Sequence, residues 1–130
     1  MSVQERMLIS PVMVGAAGSV DTTSLVYPFT EKATLLRAYI VPALAVAADA
    51  THTITITATA NSQNIFSFAT TSGAGGALTK DVPVEQTILT AMSGTKRELS
   101  KGDAVTFAVA KASDGKAYEL HVVLVYTLVN

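Results

Sequence analysis

The 130-residue chain has no cysteine and no tryptophan, and only 15% of its residues are charged. Without cysteine there is no disulfide scaffold, no thiolate zinc site and no cysteine nucleophile. About 25% charge is ordinary for a soluble domain. The surface is therefore made largely of uncharged polar side chains, or part of it is covered by partner chains, since interface cores are depleted in charge. Nine basic and ten acidic residues leave a net charge of −1. That builds none of the basic field that generic nucleic-acid binding needs. No apolar run reaches the roughly 18 residues of a membrane-spanning helix. The most apolar stretch, residues 38–48, is shorter and contains Pro42. The leading segment is expected to be mature sequence rather than a secretory signal. Glu5 stands beside its one Arg, and Pro11 and Gly15 interrupt the apolar part.

What is present points to strands. Hydrophobic residues make up 49% of the chain, which excludes long disorder. The length suits one domain, large enough to bury about two thirds of its unfolded surface. Thr and Val are abundant, and both suit a pleated surface better than a helix. Residues 51–60, THTITITATA, alternate strictly. His52, Ile54, Ile56, Ala58 and Ala60 share one face and five threonines share the other, a pattern no helix accommodates. Residues 103–110 place Val105, Phe107 and Val109 inward. Residues 118–128 put Tyr118, Leu120, Val122, Leu124, Tyr126 and Leu128 on one face. In 34–41, Leu36, Ala38 and Ile40 fall on one face, with Leu35 and Tyr39 on the other. Residues 63–69 offer Phe66 and Phe68, and 83–90 form a strand that begins at Pro83. Pro28 makes 24–30 an edge strand, and 8–14 is a further candidate interrupted by Pro11.

Turn residues separate these runs. Ser100-Lys101-Gly102-Asp103 opens one strand, and Ser113-Asp114-Gly115-Lys116 is expected to join the last two as a tight hairpin. Residues 72–76, SGAGG, begin a loop that runs to Asp81. The Ala-rich segment 43–50 is a loop or a single helical turn. About eight short strands without a long helix predict an all-β sandwich, an eight-stranded jelly roll. An immunoglobulin-like sandwich is the alternative, though its Cys and Trp marks are missing. Residues 1–23 are expected to form an N-terminal arm outside a sandwich domain of residues 24–130. Pro11, Gly15 and Gly18 break regular structure there, yet Met7, Leu8, Ile9, Val12 and Val14 are too apolar for a solvated tail.

No constellation for catalysis or metal binding emerges. His52 and His121 are the only histidines. Glu119 and His121 share a strand face, which alone reads as a surface polar pair. A cupin-type metal site would need a His-x-His pair that the chain lacks. No serine lies in a G-x-S-x-G context. The clusters at residues 15–18 and 73–76 lack the following Lys of a phosphate loop. Asp21, Asp49, Asp81, Asp103 and Asp114 stand singly at turns, where Asp bonds the local backbone. Lys96-Arg97 beside Glu98 is a solvated pair, and the aromatics are placed in the core. No enzyme activity, cofactor, metal, nucleic-acid or membrane partner is expected.

One pattern is wrong for a lone sandwich. Val123, Val125 and Val129 point away from the apolar row of the last strand, so its second half is apolar on both faces. An outer sheet face is ordinarily polar, and a bare row of valines invites aggregation. The chain's own N-terminal segment or a neighbouring subunit must cover it. These valines are the candidate oligomer interface, and Met7, Leu8, Ile9, Val12 and Val14 are the candidate docking residues of the arm.

Together these marks resemble the small head decoration, or cement, proteins of tailed bacteriophages. They are Val41-Pro42 at a strand corner, the threonine-rich strand 51–59, Lys101-Gly102-Asp103 before a strand, and Asp114-Gly115 before a final alternating strand. The resemblance spans roughly residues 33–129 and assigns no single residue a role. It implies a β-sandwich or jelly roll, a homotrimer, the major capsid protein as partner, and a place on the outer surface of the virion capsid. The alternative of a different class is a carbohydrate-binding or lectin-like module of a virion fibre, for which no set of exposed aromatics is found. The fold reading predicts a far-ultraviolet circular dichroism spectrum with less than about one tenth helix. A helix-dominated spectrum overturns it.

Overall fold

The computed structural model describes residues 4–16, 22–71, 76–89, 97–112 and 116–128. Ten strands follow one another with no α-helix among the described residues. They are β1 (Glu5–Ile9), β2 (Met13–Gly15), β3 (Thr22–Pro28), β4 (Ala33–Pro42), β5 (Ile54–Ala60), β6 (Gln63–Ala69), β7 (Val84–Gln86), β8 (Glu98–Leu99), β9 (Ala104–Lys111) and β10 (Tyr118–Leu128). All pair antiparallel, in two sheets. The larger runs β1-β10-β4-β7, with β2 also on β10 and β8 also on β4. The smaller runs β3-β9-β5-β6. The two inner faces bury one continuous core, so the fold is a β-sandwich.

The alternation in β5 sets the smaller sheet. Ile54, Ile56 and Ala58 are fully buried and the threonines between them are half-buried. Ala58 pairs with Phe107 and Ile56 with Val109, so the inward rows of β5 and β9 lie side by side. Val105, Phe107 and Val109 are buried as the alternation predicts. β3 is an edge strand, and Pro28 sits at its last position. There a missing N–H breaks no ladder on the open side.

Two bulges change the phase that strict alternation predicts. Against β10, the register of β4 shifts: Val125 pairs with Arg37 and Tyr126 with Leu35. Leu36 is the extra residue, so Leu35 and Ala38 both face the core and Leu36 is half-buried. This reverses the expected places of Leu35 and Leu36, because one inserted residue flips every side chain beyond it. In β6, Ala58 pairs with Phe66 and Thr59 with Asn64. The extra Ile65 is buried together with Phe66, while Phe68 is only half-buried. The hairpin between β5 and β6 turns on Asn61 and Ser62, both left-handed at φ 53° and 61°. Two such residues make the turn that suits the twist of a hairpin; the sequence reading missed it because neither is glycine.

Other expectations are corrected. The last two strands form no hairpin, since β9 and β10 lie in different sheets; residues 113–115 between them fall outside the described residues. Within 83–90 only Val84–Gln86 pairs with β4. Beyond it the chain crosses toward the other sheet, where the Leu89 amide donates to the Ile65 carbonyl at 2.9 Å. Residues 43–50 take the loop form, with Val46 paired to Leu78 in an isolated bridge. The segment read as an arm outside the sandwich is, over its described part, an edge of the larger sheet, with β1 and β2 both laddered on β10. Pro11 divides them, and Ser10 spans the break. Its amide donates to the Val122 carbonyl at 2.9 Å, and its Oγ accepts the Val122 amide at 2.8 Å.

The bulge in β4 predicts that Leu35→Ala costs about 2–5 kcal/mol, as a buried leucine does, and that Leu36→Ala costs clearly less. Urea denaturation of the two variants checks this. A larger loss for Leu36→Ala would mean the strand runs in the unbulged phase.

Candidate functional site

Most of the residues singled out above meet on the outer face of the larger sheet. Val123 stands between Ile9 on β1 and Tyr39 on β4, and Val125 between Met7 and Arg37. With neighbours on both sides the two valines are 9% and 5% exposed within a single chain. Nothing further is needed to cover them, which removes the reason for assigning them to a subunit interface. Val129 lies outside the described residues. The exposed apolar surface lies instead one strand out, where Met7, Ile9 and Val14, with Val12 in the break, are 64%, 54%, 61% and 53% exposed. Leu8 turns the other way, opposite Leu124, and packs half-buried against the core. The expected docking residues therefore divide. Leu8 helps hold the segment to its own chain, and the other four form an apolar strip along the sheet edge.

Charge frames that strip. Arg37 donates to the Glu5 carboxylate at 2.8 Å across the face of β10. The hydrogen bond and charge of Glu5 raise the guanidinium pKa further above its ordinary value. At the other end Glu119 stands opposite Val14 and His121 opposite Val41, both half-buried. Among the described residues no three His, Asp or Glu side chains converge as a metal site would require.

A second polar group lies on the loop between β4 and β5. Asp49 Oδ1 accepts the amides of Thr51 and His52 at 2.8 and 3.0 Å. Its Oδ2 lies 3.4 Å from His52 Nδ1 and 3.5 Å from Lys116 Nζ. Lys116 also donates to the Ala47 carbonyl at 3.0 Å. The amides of His52 and then Thr51 hold the Asp49 carboxyl well below the usual carboxylate range. Both carboxylate oxygens are thus committed to local partners, and the group ties the loop to the start of β10. The local half of this arrangement, Asp capping its own turn, was legible in the sequence. The tie to Lys116, 67 positions on, had no signal there.

Among the described residues, three polar ones are buried: Ser10, Thr70 and Lys111. Thr70 Oγ1 accepts the Ile54 amide at 3.0 Å, so it completes a ladder much as Ser10 does. Both hydroxyls are hydrogen-bonded to backbone groups. Comparison of the chain with protein-family models, with curated proteins and with solved structures finds no match.

The Asp49 tether has a definite pH sense. Its carboxyl titrates lower when folded than the ordinary 3.8. Its contribution is therefore complete above about pH 4 and is lost as the pH falls from there. The difference in melting temperature between wild type and Asp49→Ala is expected to be constant near neutrality and to shrink below about pH 4. A difference that widens on acidification would contradict the assignment.

Proposed function

We propose that the protein is a structural, non-catalytic component of a tailed-phage virion. It would be a decoration protein that binds the outer capsid surface as a homotrimer and stabilises the head through contacts with the major capsid protein. The observation that carries this reading is the strip Met7, Ile9, Val12 and Val14. It is apolar, exposed and mounted on the edge of a sandwich. A strip of that kind suits a protein partner better than solvent. The low, balanced charge of the chain and its likeness to decoration proteins support the same reading. So does the strand order. If β1 and β2 count as one interrupted strand and β7 and β8 as one edge position, each sheet is four strands wide. The order β1-β10-β4-β7 over β3-β9-β5-β6 then supports the jelly-roll reading of the sandwich.

In this reading each trimer presents three copies of the strip to the shell. Weak contacts made together give avidity without a deep pocket. Binding that favours the mature shell stabilises it by mass action, against the outward pressure of packaged DNA. Mixing the protein with capsids that lack it should give co-sedimentation and a higher temperature of DNA release. Met7→Lys with Val14→Lys should weaken both, because a charge in an apolar contact must be desolvated. Absence of binding to capsids of its own phage overturns the proposal. Sedimentation as a monomer at micromolar concentration overturns the trimer.

A further inference from the structure

The edge formed by β1 and β2 differs from the rest of the larger sheet in what holds it. Over residues 5–16 only Met13 and the half-buried Leu8 contribute large side chains to the core. Beyond the backbone ladder to β10, the remaining ties are polar and sit at three points. Glu5 meets Arg37 at one end, and Ser10 exchanges hydrogen bonds with Val122 in the middle. At the far end the buried Lys111, last residue of β9, donates its Nζ to the Ala16 carbonyl and lies 5.8 Å from the centre of the Tyr118 ring. Gly15 lies against that same ring so closely that a Cβ there would run into it. Lys111 belongs to the smaller sheet, whereas Ala16 follows a strand of the larger one. One amine thus clips the end of the edge segment across the sandwich.

We infer that residues 5–16 form a strap that opens off β10 as a unit while the sandwich stays folded, and that Lys111 is the clip that governs the opening. An edge element with little apolar burial opens at lower cost than the core strands, and the Lys111 hydrogen bond is the tie that joins it to the opposite sheet. Opening bares the outer edge of β10, from Tyr118 to Thr127, as an unpaired ladder. The strand that fits this edge is the strap itself, because its register places Leu8 on Leu124 and Met13 on Leu120. The occupant of the bared edge is therefore the strap of a second copy, added as a strand. This inference stands on the fold and does not depend on what the protein binds.

Native-state hydrogen exchange tests it on the intact wild-type protein. The Ser10 and Val122 amides report the strap, and amides within β5 and β9 report the core. The strap amides should exchange at least about tenfold faster than the core amides. Lys111→Met keeps the stem and removes the donor. It should speed the strap amides by about another tenfold and leave the core amides unchanged within about twofold. Gly15→Ala, which crowds the Tyr118 ring, should act in the same direction. A labelled peptide of residues 4–16 should bind Lys111→Met more readily than wild type. One common exchange rate for strap and core, or equal acceleration of both in Lys111→Met, overturns the strap. Failure of either protein to take up the peptide overturns the docking edge.

Discussion

The antiparallel pairing of β10 with β4 organises the molecule. These are the two longest strands, 11 and 10 residues, and they lie at the centre of the larger sheet. Every other strand of that sheet is laddered on one of them. Their inward side chains, among them Leu35, Ile40, Leu120, Val122 and Leu124, line the larger sheet's side of the core. Burying such residues is the dominant favourable term in folding, and strand pairing brings them into a single layer. The bulge at Leu36 follows from this pairing. It lets Leu35 and Ala38 both reach the core while the outer face keeps Arg37 and Tyr39 beside the valines.

Where the ladder fails, hydroxyls stand in. Ser10 takes the Val122 amide across the break made by Pro11, and Thr70 takes the Ile54 amide where β6 has ended. No buried side-chain nitrogen or oxygen among the described residues lacks a partner. An unpaired buried polar group costs about 1–3 kcal/mol, so these substitutions make the irregular edge tolerable. They also explain why that edge is held by a few polar ties rather than by a broad apolar contact.

The face proposed for docking follows from the same irregularity. The valines of β10 are covered by their own neighbours, so the apolar surface left to a partner is displaced outward onto β1 and β2. A segment that is apolar outward and lightly tied inward suits contact with a second protein surface. It also suits opening. The two properties share one cause, which is that the side chains of this segment are spent on the outside.

Strand content, the inward rows of β5 and β9, and the edge position of β3 were legible in the sequence. Each depends on local alternation or on the missing N–H of Pro28, which act within a few residues. The local turn made by Asp49 was legible for the same reason. The excess of valine on β10 was legible too, but what covers it was not. That depended on Ile9, Met7, Tyr39 and Arg37 arriving beside it from strands more than 80 positions earlier. The bulges at Leu36 and Ile65 left no local mark, because a phase shift is set by the partner strand. The placing of β9 and β10 in opposite sheets was likewise decided by tertiary structure. Asp-Gly between two alternating runs permits a hairpin. Here each strand instead finds its partners among distant strands with which it shares an inward face.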